Sequence, residues 1–180
     1  MLKITLPAVE LFDEETQSFI NTEEQPLEME HSLVSLAAWE SHWEKPFLTK
    51  EPKSREETIY YMQCMTLTPN VNPEVYNYIS NDIVEKVNRY IEAPMTATTF
   101  YDDDKAKPNR ETVTAELIYY WMVALNIPSE YQYWHLNRLM TLIKVCSIKN
   151  APPKGKSLAE RMRENAALNA ARKKQLNTRG

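Results

Sequence analysis

Glycine is almost absent: Gly155 and Gly180 are the only two in 180 residues. Loops that cradle phosphates need several glycines at fixed spacing, for positive φ and close backbone approach, so nucleotide-binding motifs of that kind are excluded. Cysteine is as scarce. Cys64 and Cys146 form no CxxC pair and sit in helix-like apolar settings, which favours reduced, buried thiols over a disulfide. Three histidines, His31, His42 and His135, are scattered, and neither an HExxH motif nor a GxSxG elbow occurs. Long hydrophobic runs are missing too. The apolar run Leu117 to Leu125 falls far short of the roughly 20 residues that cross a bilayer, and the opening MLKITLP lacks the apolar core of a secretion signal. The chain is therefore expected to be non-catalytic, without cofactor or metal, without a membrane partner, and intracellular.

What is present is enough to fold. Hydrophobic residues make up 43%, with four Trp and ten Tyr, whereas chains that stay disordered lack aromatics and carry high net charge. The length suits one domain with appendages. Net charge of −4 conceals a split: residues 151–180 hold eight Lys/Arg against two Asp/Glu, and residues 1–150 hold 13 against 23, giving +6 and −10. The body is acidic and the tail basic. Such asymmetry marks either an interaction tail or a tail lying back on its own body.

The chain reads as α+β, mainly α: a small N-terminal antiparallel sheet over 1–30, a multi-helix domain over 31–150, and a linker with a basic helical or partly disordered tail over 151–180. Leu2 to Leu6 and Leu27 to Glu30 alternate with period two, with a candidate middle strand at Ser18 to Thr22 and a turn-like link at Asp13 to Thr16. Eight acids against Lys3 in residues 1–30 imply a wet outer face. A helix from Ser32 presents Leu36, Trp39 and Trp43 on one face and closes at Pro46, with Phe47 following. Ser54-Arg55-Glu56-Glu57 has the form of a capping box opening a helix through Ile59, Met62 and Met65. Asn72-Pro73-Glu74 starts a short helical turn over Val75 to Ile79, and Ile83, Val87 and Tyr90 or Ile91 carry a further helix ending before Pro94. Asp102 to Lys107 is a polar loop. Asn109 to Asn150 is expected to organise the rest, as two helices hinged at Pro128. The first, capped by Asn109, carries Val113, Leu117, Trp121 and Ala124 on one face; the second follows a capping box at Ser129 and Gln132 and carries Leu136, Leu139, Met140, Ile143 and Cys146. Ala151 to Lys156 breaks the helix, and Ser157 to Glu160 is a third capping box before a weakly anchored tail helix.

Candidate chemistry weighs little against plainer roles. Glu28 and His31 have the Glu-x-x-His spacing of di-iron bundles, but such sites need the pattern twice, and Glu28 reads as strand. Three consecutive aspartates, Asp102 to Asp104, lack the alternating oxygen ligands of a calcium loop. Glu40 and Glu44 stand one helical turn apart and read as a solvated face, not an acid/base pair. Tryptophans at helical spacing are usually core, with an exposed partner groove the competing role. In the tail, Arg161, Arg163, Arg172, Lys173, Lys174 and Arg179 would neutralise phosphates. Nucleic acid is nevertheless disfavoured, because the tail has no aromatic residue to stack on bases and the acidic body repels a polyanion.

At His31 to Leu48 (HSLVSLAAWESHWEKPFL), Trp134 to Cys146 (WHLNRLMTLIKVC) and Ala166 to Leu176 (AALNAARKKQL), the chain resembles a family of small proteins of tailed bacteriophages usually called tail assembly chaperones. The likeness runs through most of the chain. It implies a protein made in the cytoplasm of the infected bacterium that binds the tape measure protein and helps tail-tube protein polymerise around it. A structural virion protein, such as a head–tail connector or minor tail protein, is the alternative, and a nucleic-acid binder acting through the tail is the third reading. A homo-oligomer stays open. The partner-binding residues expected from the sequence are Trp39, Trp43 and Phe47, then Arg161, Arg172 and Lys173.

Overall fold

The structure, a computed structural model, describes residues 1–13, 18–22, 24–100, 111–151 and 158–176. It is α+β and mainly helical. Two compact units divide the chain, Met1–Ser147 and Ile148–Gly180. The first holds β1 (Leu2–Leu6), β2 (Val9–Asp13), β3 (Ser18–Thr22) and β4 (Gln25–Met29), then α1 (Leu33–Trp43), α2 (Arg55–Met65), α3 (Asn81–Glu92) and α4 (Ala115–Ala124). Helix α5 (Leu136–Asn150) crosses into the second unit, which holds α6 (Leu158–Leu176).

The N-terminal strands form one antiparallel ribbon in two segments. β1 pairs with β4 and β2 with β3, and the register continues from Leu6↔Gln25 to Val9↔Thr22. Strand β2 was not evident from the sequence because Leu11 and Phe12 stand side by side and spoil the period of two. Most of the expected turn at Asp13 to Thr16 lies outside the described residues. The alternation in β1 and β4 is real: Ile4, Leu6, Leu27 and Met29 face the core while Lys3 and Thr5 are exposed.

Caps decide where the helices begin. Ser32 opens α1 with a reciprocal box, its hydroxyl accepting from Ser35 N–H while Ser35 Oγ accepts from Ser32 N–H. At α2 the box reads as the sequence has it: Ser54 Oγ accepts from Glu57 N–H, and a Glu57 oxygen accepts from Ser54 N–H at 2.8 Å. Asn72 caps a 3-10 turn at Pro73–Tyr78 through Glu74 N–H.

The region after Glu111 departs from expectation. Helix α4 is capped by Thr114, and it buries Ala115, Ile118 and Met122, one residue along from the face through Leu117 and Trp121. A run as apolar as Leu117 to Leu125 has no polar side to fix its rotation, so packing sets it. The helix ends in a Schellman arrangement: Ile127 N–H donates to Met122 O at 2.8 Å and Asn126 N–H to Val123 O at 3.1 Å, with Asn126 at φ 53° and Ile127 and Met122 both buried. Pro128 follows this stop. Ser129–Tyr133 is a 3-10 turn without a side-chain cap, and Gln132 instead accepts from Tyr119 Oη–H at 3.0 Å. In α5, Leu136, Leu139 and Ile143 are buried. The organising element is α1, which packs against α2, α4 and the Ser129–Tyr133 turn. The expected Asn109 cap, the Asp102 to Lys107 loop and the breaker at Pro152 to Lys156 lie outside the described residues.

Candidate interaction surfaces

The aromatic residues of α1 do not share one exposure. Trp39 is 1% exposed, donates from Nε1–H to Glu57 O at 2.9 Å, and meets Phe47 edge-on at 5.0 Å. Phe47 is buried too, tilted against Tyr61 at 4.1 Å. These two side chains form the core and present no surface of their own, the common fate of large rings at helical spacing. Trp43 lies between core and solvent. Its indole N–H is buried without an acceptor among the described residues, and the Lys45 ammonium stands 5.6 Å from its ring. His42 stacks on Tyr60 beside it.

Glu40 is no solvated carboxylate. It is buried and accepts from Phe47 N–H through Oε1 and from Ala115 N–H through Oε2, each at 2.7 Å. Glu44, four residues on, is exposed and ends α1 at φ 53°. The first carboxylate clamps the loop after α1 to the first turn of α4, where a helix N-terminus favours negative charge. Helical spacing alone hid this, because the acceptor's partners lie across the fold.

Histidines scattered in the sequence also meet. The rings of His31 and His135 are 5.1 Å apart, edge to face. His31 Nδ1 shares a hydrogen bond with the Tyr61 hydroxyl, and His135 Nε2 lies 3.0 Å from Tyr90 O. Tyr90 Oη–H donates to Glu30 Oε1 at 2.6 Å, and the amino group of Met1 stands 2.8 Å from Glu30 Oε2. Burial, aided by the neighbouring His135, lowers His31 to a pKa of about 3; burial also lowers His135 and raises Tyr61. The cluster is a polar seam of two neutral imidazoles, two tyrosine hydroxyls and one ion pair, tying β4, α2, α3 and α5 together, a structural arrangement of satisfied groups. Glu28, the other half of the Glu-x-x-His spacing, is on β4 and ion-pairs with Lys3 at 2.6 Å. Cys64 and Cys146 are free and half-buried, and burial pushes the Cys64 thiol up to about 11.

The tail residues lie on α6. Arg161, Arg172 and Lys173 are exposed there, as are Arg163 and Lys174, while Arg179 is outside the described residues. So are Met162 (63%), Leu168 (54%) and Leu176 (71%). The six residues singled out from the sequence thus divide into two core rings, one half-buried ring and three exposed cations. Among the described residues no helix is long and apolar enough to cross a membrane. Compared with protein-family models, curated proteins and solved structures, the chain matches none of them.

Proposed function

We propose that this chain is a non-catalytic tail assembly chaperone of a tailed phage, acting in the host cytoplasm on the tape measure protein while the tail tube forms. The resemblance at His31 to Leu48, Trp134 to Cys146 and Ala166 to Leu176 supplies the family. One observation supports a binding role: α6 is a helix of 19 residues whose described side chains are all exposed, including Met162 and Leu176. Helices of this length are marginal alone in water, and exposed apolar side chains on a helix suit a partner's helix or groove. The flanking Arg161, Arg172 and Lys173 would steer that helix to an acidic or mixed surface.

The test is an affinity pull-down of the full chain from infected cells before lysis, beside mass spectrometry of purified virions. The expected result is the tape measure protein in the pull-down and no copy in the particle. A double substitution Met162→Asp and Leu176→Asp should lower that capture at least tenfold. The protein at fixed stoichiometry in virions would overturn the chaperone reading in favour of a connector or minor tail protein.

A further inference from the structure

Among the described residues, strand β4 is paired on both sides and β1 on only one. Beyond β4, Glu30 N–H donates to Met65 O at 2.8 Å, Leu67 N–H to Glu28 O at 2.7 Å, and Glu28 N–H to Thr68 Oγ1 at 2.8 Å. Both main-chain groups of Glu28 therefore turn away from β1. In an antiparallel pair the two groups of one residue face the same side, and sides alternate along the strand. The ladder to β1 then runs through Leu27 and Met29 to Ile4 and Leu2, and the main-chain groups of Lys3 and Thr5 face outward. Pro26, opposite Thr5, fits this parity, since its missing N–H falls on the side away from β1. Among the described residues nothing pairs with the outer edge of β1.

That edge borders a cleft of about 920 Å³, lined by Leu2 to Thr5 of β1, by Pro26 to Glu28 of β4 and by Ile83, Lys86, Arg89 and Tyr90 of α3. A strand edge beside a helix is the arrangement to which an extended peptide adds as a further strand, main-chain bonds giving affinity and alternate side chains giving specificity. Its charge is also the reverse of the body's. Lys3, Lys86 and Arg89 line it against Glu28 alone, in a segment of residues 1–150 with a net charge of −10. Lys3 is matched by Glu28, whereas Lys86 and Arg89 have no carboxylate partner among the described residues.

We propose that the open edge of β1 and helix α3 form a docking cleft for an extended segment of a partner protein in which apolar and acidic side chains alternate. The acidic side chains face Lys86 and Arg89 of α3, and the apolar ones take the opposite face of the added strand. The inference stands apart from the role of α6, so either can fail alone.

The probe is a fluorescein-labelled pentapeptide alternating valine and glutamate, titrated into the full-length protein and read by anisotropy, with amide exchange followed by NMR. The expected results are saturable binding, loss of at least tenfold in affinity for the double variant Lys86→Glu, Arg89→Glu, and new exchange protection at the Lys3 and Thr5 amides. A peptide with lysine for glutamate should bind at least tenfold more weakly, and one N-methylated at alternate amides in the pairing frame should lose binding. Equal affinity for the lysine and glutamate peptides would overturn the proposal. So would unprotected Lys3 and Thr5 amides in the complex, or their protection in concentrated protein without peptide, which would mean that a second copy fills the edge.

Discussion

Removing the carboxylate of Glu40 would strand two buried main-chain N–H groups, those of Phe47 and Ala115, which lie on segments distant in sequence. Hydrogen bonds to charged groups contribute about 1.5–3 kcal/mol each, and a buried donor left without an acceptor costs its full desolvation. Glu40→Ala is therefore expected to destabilise the fold by about 3 kcal/mol, and Glu40→Gln, which keeps one carbonyl oxygen, by about half as much, measured by urea unfolding at neutral pH. Losses under 0.5 kcal/mol for both would mean that the clamp contributes nothing. Nothing in the sequence signals this role. A glutamate on a helix with another glutamate four residues later carries the ordinary pattern of a wet face, and only the return of Ala115 onto α1 turns it into an internal acceptor. Trp39 is the opposite case. Its size and spacing make burial the default outcome, and burial is what the structure gives it.

Local elements were legible wherever the signal is local. The box at Ser54 and Glu57 and the cap at Asn72 need only residues within one turn, and the alternation of Leu2 to Leu6 needs only its own side chains. Where tertiary packing arbitrates, legibility fails: the rotation of α4 is set by what Ala115, Ile118 and Met122 meet, and no polar stripe announces it. Helix ends were harder still, because the usual marker is missing. Both glycines of the chain lie outside the described residues, and among the described residues left-handed positions fall to Glu44, Asn70, Met95 and Asn126. Asn tolerates this region best among non-glycine residues, while Glu44 has a Cβ that costs about 1 kcal/mol there. Its N–H already bonds Glu40 O at 2.8 Å, which the main chain of glycine reproduces. Glu44→Gly is expected to raise stability by about 0.5–1 kcal/mol, relief of the Cβ clash outweighing the greater chain entropy of glycine. A fall in thermal midpoint for this variant would show that the αL turn is not strained.

The sequence suggested a body organised by Asn109 to Asn150, yet α1 is the element around which the helices gather, and the seam of His31 and His135 closes the ribbon, α2, α3 and α5 into one unit. A global consequence follows from proton linkage. In the unfolded chain both imidazoles protonate near 6.5; in the folded chain burial keeps His31 neutral down to about 3 and also lowers His135. Between those values the unfolded state binds more protons, so stability is full above pH 6.5 and is lost as pH falls, at about 1.4 kcal/mol per pH unit for each histidine that stays neutral. Glu57, held below the usual carboxylate range by Lys45 and the Ser54 N–H, adds its own loss only at lower pH, below its ordinary 4.5. Urea unfolding between pH 7 and 5 should therefore show a steep decline that His31→Gln reduces by at least half, whatever that substitution does to stability at pH 7. The slope, not the absolute value, reports the proton. Equal slopes in the two proteins would mean that His31 is protonated in the folded state and that the seam is open to water.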